Sequence, residues 1–162
     1  MDSLEFQNLL EDHFFTDDLS ESLINALAAI GRKVPITSGS VLFEQGSRHD
    51  CVYVICQGTI RLEMNVPGRG EIPILTIGAG ELLGFSPLFE DQVMTARAIA
   101  LEDGLAISID AKELMELCEQ NSELGYRVMK KIAGAYAKRL VATRLQLLDL
   151  FEETTTYEGS GG

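Results

Sequence analysis

The sequence predicts a mainly β fold with helices at its ends: a small antiparallel sandwich or barrel of about eight strands, followed by a long helix. Between residues 34 and 109, short runs rich in Val, Ile and Leu are broken by glycines or Pro-Gly pairs about every 8 to 12 residues. On either side of this region, apolar residues recur at helical spacing. The chain has 162 residues and is 46% hydrophobic, which is enough for one sizeable core.

A short amphipathic helix is predicted ahead of the β region, over residues 18–30. Its apolar residues recur every three or four positions and share one face: Leu19, Leu23, Leu27 and Ile30. Asp17 and Asp18 are suited to cap its start, and Gly31 marks its end. The residues before it, 1–16, are treated as an N-terminal acidic segment.

Two further helices are predicted after the β region, at residues 110–119 and 122–152. Asp110 is suited to cap the first of them, because an aspartate side chain accepts hydrogen bonds from the free backbone N–H groups of a first turn. The remaining residues, 153–162, are polar and end in Gly and Ser, so we expect a disordered tail.

The last helix carries an apolar row with the spacing of a coiled coil. The row alternates by four and three residues and consists of Met129, Ala133, Tyr136, Leu140, Thr143, Leu147 and Leu150. A second apolar face is formed by Ile132, Leu145 and Leu148. We therefore expect one face to pack on the protein's own barrel and the other to form a homodimer. Packing of the row on the barrel alone is the alternative.

The charge and hydropathy of the sequence limit the classes of partner expected for this protein. The net charge of −12 argues against a nucleic-acid surface, because such surfaces need Lys and Arg to neutralise phosphates. No run approaches the roughly 18 apolar residues of a membrane span. The first residues are acidic where a signal peptide would need basic ones. We expect a cytoplasmic protein with no membrane contact.

The sequence gives little support to catalysis or metal binding. The histidines, His13 and His49, are not clustered with other metal-ligand residues, and the cysteines lack the CxxC spacing of zinc or redox sites. Cys51, Cys56 and Cys118 are interpreted as small buried hydrophobic residues. There is no GxSxG elbow, HExxH pair or P-loop. We expect no enzyme activity, no metal and no cofactor.

Several segments, in this order and spacing, resemble the cyclic nucleotide-binding domain family, in particular the bacterial cyclic-AMP receptor proteins. They are Gly39 with the segment LFEQG at 42–46, YVI at 53–55 leading to Gly58, the cassette GELLGFSPLF at 80–89, Thr95-Ala96, and AKRL at 137–140 running into Thr143. The resemblance covers about residues 15 to 152 and implies an eight-stranded antiparallel β-roll, similar to a jelly roll. It also implies a long C-terminal dimerisation helix and a small-ligand sensor.

The cassette departs from the family at its two charged positions. In the family, a glutamate after the inner glycine binds the ribose hydroxyl, and an arginine before the Ser/Thr-Ala pair binds the cyclic phosphate; here these positions are Phe85 and Met94. Three groups remain that could bind a phosphate: backbone N–H groups near Gly84, the start of a predicted helix at Ser86-Pro87, and the hydroxyl of Thr95. The absence of both charged side chains predicts a penalty on the order of a thousandfold in affinity.

Two nearby arginines are expected to point away from the cavity. Side chains alternate along a strand, so Arg97 faces away from the side of Met94 and Ala96, and Arg61 alternates outward in the same way. The cavity is then lined by Phe85, Met94 and alanines. We expect it to offer an anion no full positive charge.

On the long helix, the resemblance places Thr143 where the family contacts the purine base, with Arg144 replacing a small hydroxyl residue beside it. Thr143 also belongs to the apolar row, and both interpretations remain open.

The sequence therefore predicts a stand-alone dimeric regulatory module with a non-standard ligand pocket that acts through a protein partner. The pocket residues predicted are Gly84, Phe85, Ser86, Met94, Thr95, Thr143 and Arg144. No helix-turn-helix follows the long helix in this sequence, so we expect no direct DNA binding. The alternatives are a scaffold or assembly protein that binds no ligand, and the sensory half of a transcription regulator.

Overall fold

The structure is a computed structural model that describes residues 1–10, 19–89 and 93–159, with side chains as far as residue 152. The helices in these ranges are α1 Ser3–Leu9, α2 Glu21–Ile30, α3 Ala111–Gln120 and α4 Ser122–Gly159. The strands are β1 Gly31–Ile36, β2 Val41–Phe43, β3 Cys51–Gln57, β4 Ile60–Val66, β5 Gly70–Ile77, β6 Leu82–Leu83, β7 Arg97–Ala100 and β8 Gly104–Asp110. A short 3-10 helix lies at Ser86–Leu88.

The eight strands form two four-stranded antiparallel sheets, which confirms the predicted β-roll. One sheet has the order β1-β8-β3-β6 and the other β2-β7-β4-β5. Within the second sheet, Leu62 of β4 lies opposite Ala98 of β7, so the alanines of β7 share the face of the apolar residues of β4. Every neighbouring pair is antiparallel, as expected for strands joined by short Gly-rich turns.

The core has two parts, because each sheet contributes buried side chains. One part lies inside the roll and includes Ile55, Ile60, Leu62, Leu83, Met94 and Ala98. The other lies between the first sheet and the helices and includes Phe6, Leu27, Ile107, Ile109, Leu114, Leu124 and Val128. Both parts are continuous apolar clusters, so the helices and the roll pack as one domain.

The helices that follow the β region begin where the sequence predicts. The N-terminal cap of α2, in contrast, differs from the predicted caps. The carboxylate of Asp110 accepts the backbone N–H of Glu113 at 2.9 Å and so caps α3, as predicted. The cap of α2 is Ser20, whose hydroxyl accepts the N–H of Leu23 at 3.3 Å. The predicted caps Asp17 and Asp18 lie outside the described residues.

The described part of the N-terminal acidic segment contains a helix that was not predicted. Residues 3–9 form α1, and the side chain of Phe6 is fully buried, as is that of Leu10 just after it. The carboxylate of Glu5 also pairs with Lys33 of β1. Phe6 and Leu10, two apolar residues at helical spacing, anchor this segment to α2 and to the first sheet. The acidic residues around them made this pattern hard to recognise in the sequence.

Helix α4 continues beyond its predicted end, through Gly159 where the sequence predicted an end near Glu152. The residues between them contain no proline and no glycine that would break a helix. The part of the predicted tail at residues 153–159 thus belongs to α4, and residues 160–162 lie outside the described ranges. None of the described helices is both long enough and apolar enough to cross a membrane.

Candidate ligand-binding site

The backbone of the cassette is held by hydrogen bonds within the turn between β5 and β6. The carboxylate of Glu81 accepts the backbone N–H of Gly78 at 2.7 Å, and Gly80 N–H donates to the carbonyl of Ile55 at 2.7 Å. At Gly84, φ is +71°, and a Cβ atom would lie 3.1 Å from the ring of Phe43. Glycine is therefore required at position 84 by the positive φ and by close packing against Phe43.

The predicted helix opening at Ser86-Pro87 is much weaker than expected. Among the described residues only a 3-10 helix of three residues forms there, Phe85 lies at its N-cap position, and no side chain caps it. Ser86 is itself buried. A single turn of this kind has few aligned peptide dipoles, so it offers little attraction to an anion.

Phe85 and Met94 fill space inside the protein. Their exposed fractions are 1% and 3%, and they belong to different parts of the core. Met94 is also fixed through its backbone, since its carbonyl accepts the N–H of Gly46 at 2.7 Å and its N–H donates to Ser47 at 2.9 Å. Both positions that carry charge in the family are thus occupied here by core side chains.

A positive charge nevertheless reaches the cassette, from the long helix. Nη1 of Arg139 on α4 donates to Oγ1 of Thr95 at 3.1 Å. The guanidinium also lies over the rings of Phe85 and Tyr136, at 5.5 and 5.9 Å from their centroids. The expectation that an anion would meet no full positive charge here is wrong, because that expectation considered arginines on strands and not on α4.

The environment of Arg139 is partly desolvated. Burial lowers the pKa of its guanidinium, with the neighbouring Tyr136 acting in the opposite direction. Arginine stays charged in proteins, so the shift means that the charge lacks some of the stabilisation it would have in water. Within the described part of the chain, its Nε is buried without a hydrogen-bond partner. The guanidinium therefore retains capacity to bind an acceptor.

Two cavities lie beside Arg139. The smaller, of about 190 Å³, is lined by Leu62, Met64, Ile74, Thr95, Ala96, Arg139 and Thr143; we call it the cassette cavity. The larger, of about 240 Å³, lies between α4 and the roll and is also lined by Leu62 and Arg139, together with Glu81, Leu82 and Phe85 from residues 80–89; we call it the helix cavity. Arg139 is thus a shared wall between them.

The structure brings together some of the predicted pocket residues and separates others. Thr95 and Thr143 line the cassette cavity, and Phe85 lines the helix cavity. The lining of these two cavities does not include Gly84, Ser86, Met94 or Arg144. Arg144 is exposed on α4.

Arg97 and Arg61 occupy the outer face of the second sheet, as strand alternation predicts. Arg97 lies near Glu44, with 3.9 Å between nitrogen and oxygen, and Arg61 pairs with Glu63 at 3.2 Å. The proximity of Arg139 to the predicted pocket could have been found from the sequence, because Arg139 lies four residues before Thr143 and shares its helix face.

Three further contacts attach α4 to the cassette region and to β5. Nζ of Lys131 donates to the carbonyl of Gly80, and Nζ of Lys138 lies 3.2 Å from the carboxylate of Glu81. Farther along, the amide of Gln146 donates to the carbonyl of Pro73 in β5 at 2.9 Å. Since these contacts span several turns, a shift of α4 relative to the roll would disturb all of them.

The predicted apolar row on α4 divides between two directions. Met129 packs against the protein's own core, Tyr136 stacks edge-on against Phe85 at 5.0 Å, and Thr143 lines the cassette cavity. Leu150 is half-buried. Leu140 and Leu147 are exposed, together with Val141, Leu145, Leu148 and Phe151. The apolar residues of α4 that face outward therefore include only part of the predicted row, together with neighbouring residues outside it.

Comparison with known proteins identifies the family. The sequence model of the cyclic nucleotide-binding domain matches residues 33–121, more than half of the chain. The chain belongs to the cyclic nucleotide-binding domain family. The match begins within β1 and ends just after α3, and it contains the other seven strands and the cassette.

Two curated relatives support this assignment. The chain is 24% identical over 129 residues to a CRP-like cAMP-activated global transcriptional regulator of Mycobacterium tuberculosis, covering 80% of this chain and 56% of that protein. It is 28% identical over 116 residues to the cyclic AMP receptor protein of Thermus thermophilus, covering 71% and 52% respectively. The chain thus spans about half the length of these relatives.

Two solved structures have the same fold. The sensor domain of the transcriptional regulator DNR from Pseudomonas aeruginosa superposes with a TM-score of 0.70 at 19% identity, covering 85% of this chain and 93% of that one. A cyclic nucleotide-binding domain from Methylobacillus flagellatus superposes with a TM-score of 0.72 at 17% identity, covering 91% and 83%. At these identities the similarity establishes the fold.

Two positions of this chain near its cassette differ in charge from what the family resemblance implies. The positions at which the family resemblance implies Glu and Arg hold Phe85 and Met94, while Arg139 on α4 donates to Thr95 beside them. In the described residues, no group of three or more His, Cys, Asp or Glu side chains is arranged to hold a metal ion.

Proposed function

We propose that this chain is a dimeric regulatory module that binds an anionic small molecule in the cassette cavity and signals through a protein partner. The observation that carries the proposal is the 3.1 Å contact between Arg139 and Thr95 at the wall of a cavity. A guanidinium beside a hydroxyl is a suitable pair for a phosphate or carboxylate oxygen. The module therefore takes its main cation from α4 and not from the cassette.

The electrostatics favour occupation by an anion. The charge of Arg139 is partly desolvated, as its lowered pKa indicates, and its Nε has no acceptor within the described ranges. Burial deprives the guanidinium of stabilisation by water. An anion placed between Arg139 and Thr95 would compensate for that loss. At low effective dielectric such a pairing is stronger than it would be in water.

Arg139 also changes the expected affinity for a cyclic nucleotide. With neither charged residue of the family present in the cassette, the predicted penalty is on the order of a thousandfold. If Arg139 binds the phosphate, the missing partner of the ribose hydroxyl at position 85 is the deficit that remains. One hydrogen bond to a charged group contributes about 1.5 to 3 kcal/mol, so the penalty falls to about 10- to 100-fold. Phe85 nevertheless favours a ligand without a ribose at that position.

The transmission step follows from where the ligand would bind. Arg139 and Thr143 are on α4, whereas Thr95 and Ile74 are on the roll, so a ligand in this cavity touches both bodies. A ligand that replaces the direct hydrogen bond between Arg139 and Thr95 would favour a different position of α4. The response is then a change in helix position.

The exposed face of α4 supports a homodimer. Leu140, Leu147 and Phe151 have exposed fractions of 60%, 56% and 68%, and they lie on one face with other exposed apolar residues. Soluble monomers rarely expose a continuous apolar patch of this kind. Two copies of α4 packed along this face would bury it. The opposite face of the helix remains available for the ligand.

The proposed role is regulatory and not enzymatic. The curated relatives are named as a transcriptional regulator and a cyclic AMP receptor protein, and the chain spans about half of each of them. With a net charge of −12, we propose that the output of the described module passes to a protein and not directly to DNA.

Calorimetric titration tests the proposal, with cyclic AMP, cyclic GMP and cyclic dinucleotides as first probes. Native mass spectrometry of freshly purified protein would reveal any co-purified ligand and the stoichiometry. A bound anion should lose affinity in Thr95→Val, whereas Ser40→Ala, at an exposed turn outside both cavities, serves as the control. An unchanged affinity in Thr95→Val would refute this site.

A scaffold that binds no ligand is the second candidate, and the burial of Phe85 and Met94 favours it. Side chains that already fill the family's ligand space leave less room for a nucleotide. This candidate predicts a dimer that shows no thermal shift with any anionic compound. A heat of binding abolished by Thr95→Val would exclude it.

A further inference from the structure

The helix cavity has a different character from the cassette cavity. It has a volume of about 240 Å³ and lies between α4 and the roll. The roll contributes Leu62, Leu75, Ile77 and Phe85, and α4 contributes Gly134 and Ala135. The small size of these two helix residues leaves space beside the apolar wall, since a Cβ atom on Gly134 would meet no heavy atom within 4 Å.

Cations are concentrated around this apolar space. Lys130, Lys131, Lys138 and Arg139 line the cavity, with Glu81 as the carboxylate among its lining residues. The chain as a whole has a net charge of −12, so a local excess of positive charge is unusual. Burial is the main cause that lowers the pKa of Lys131; the carboxylate of Glu81 acts in the opposite direction, and the like charge of Lys138 lowers the pKa further. An additional anion would, like Glu81, favour the charged form of Lys131.

We propose that the helix cavity binds a small monocarboxylic acid whose body is an aromatic ring or a short alkyl chain. The apolar body would lie on Leu75, Ile77 and Phe85, and the carboxylate would be received by the lysines of α4. The size is suitable, because an apolar cavity of about 150 Å³ already holds benzene. The helix cavity shares Leu62 and Arg139 with the cassette cavity, but this inference does not require that the cassette cavity bind a ligand.

A nucleotide is a poor fit to the same space. Its sugar hydroxyls and base edges would face leucine, isoleucine and phenylalanine side chains, and burying polar groups without partners is costly. The polar groups that line the cavity are mostly cationic, which suits one acidic group attached to an apolar body. The chemistry of the wall therefore selects an apolar acid.

The test uses 4-fluorobenzoate and the neutral 4-fluorobenzamide as probes of equal shape. We expect the acid to bind at least about tenfold more tightly, because the amide cannot form the charged interaction. The methyl NMR signals of Leu75 and Ile77 should shift on titration, and those of Leu4, which is exposed elsewhere, should not. Gly134→Leu should weaken binding of the acid by about tenfold or more by occupying the space, while Gly134→Ala keeps most of it.

The controls separate this inference from the proposed function. Both substitutions at Gly134 raise helix propensity, so thermal unfolding should show folded variants. Thr143→Val should leave 4-fluorobenzoate affinity unchanged, because Thr143 lines the cassette cavity and not the helix cavity. Equal affinity for acid and amide would overturn the inference. So would undiminished binding to Gly134→Leu, methyl shifts confined to other regions, or no binding of the acid at all.

Discussion

Replacing Arg139 with Met should separate ligand binding from stability. Arg139→Met removes the guanidinium but keeps an unbranched side chain that can pack on Phe85 and Tyr136. If Arg139 is a binding residue, anion affinity should fall sharply while the free energy of unfolding changes little. If it is structural, stability should fall instead.

The expected change in stability is small because the contributions oppose one another. The hydrogen bond from the charged guanidinium of Arg139 to Thr95 contributes about 1.5 to 3 kcal/mol, and the contacts over the two rings about 0.5 to 1 kcal/mol each. Against these stands the desolvation of the guanidinium, whose Nε has no partner among the described residues. Replacing an incompletely paired buried charge with an apolar residue is often neutral, so we expect a change within about 1 kcal/mol.

The loss of affinity should be larger. A hydrogen bond to a charged group contributes about 1.5 to 3 kcal/mol, which corresponds to a loss of about 10- to 100-fold in affinity. Calorimetric titration with the anion found for the wild type measures it, and urea denaturation measures stability. Arg144→Met, on the exposed face of the same helix, should change neither. A loss of more than about 3 kcal/mol of stability in Arg139→Met, with affinity intact, would refute the reasoning.

Three further predictions concern the fold and the dimer. Gly104→Ala should destabilise the protein by about 1 to 3 kcal/mol in urea denaturation, because its Cβ would lie 2.2 Å from the carbonyl oxygen of Gln57. Leu140→Glu should convert a dimer to monomer in sedimentation, since it places a charge in the proposed apolar interface; a variant that stays dimeric would exclude this face. Stability should fall as pH rises from about 9 to about 11, because burial raises the pKa of Cys56 and of Cys118 from 9.0 to about 11 and the unfolded thiols ionise first. Urea midpoints across this pH range measure the effect, and a slope unchanged by replacing both cysteines with alanine would contradict it. Matched controls for the first two substitutions are Gly134→Ala and Leu101→Glu.

The roll could be predicted from sequence because its determinants are local. Strand boundaries coincide with glycine turns, and the alternation at Ala96, Ala98 and Ala100 places their side chains inside and Arg97 outside. Asp110 likewise caps its helix through a residue three positions away. What the sequence did not indicate was α1, whose anchors are two isolated apolar residues among acidic ones. Their burial depends on packing against elements that follow later in the chain.

The candidate site was harder to predict because its parts come from distant positions. Thr95 and Arg139 are 44 residues apart, and their contact depends on how α4 lies across the roll. The cassette sequence alone indicates which charges are missing at Phe85 and Met94, but it does not indicate which residue replaces them. Which residues of α4 are exposed depends on how the helix is rotated about its axis. The spacing of its apolar residues did not decide between two neighbouring faces.

The position of Arg139 on α4 also links the two surfaces of the module. Successive residues of an α-helix point about 100° apart, so the direction of Arg139 fixes the direction of Leu140 next to it. Arg139 faces Thr95 and both cavities, while Leu140 faces outward with Leu147 and the rest of the proposed dimer face. A ligand that draws Arg139 to a new position must therefore turn or shift the face that the partner helix contacts. In a module whose cation came from the cassette, a ligand could bind strongly without moving α4. Here the contact between Arg139 and Thr95 and the proposed dimer face lie on one helix, so under the proposed function ligand binding changes the packing of that helix.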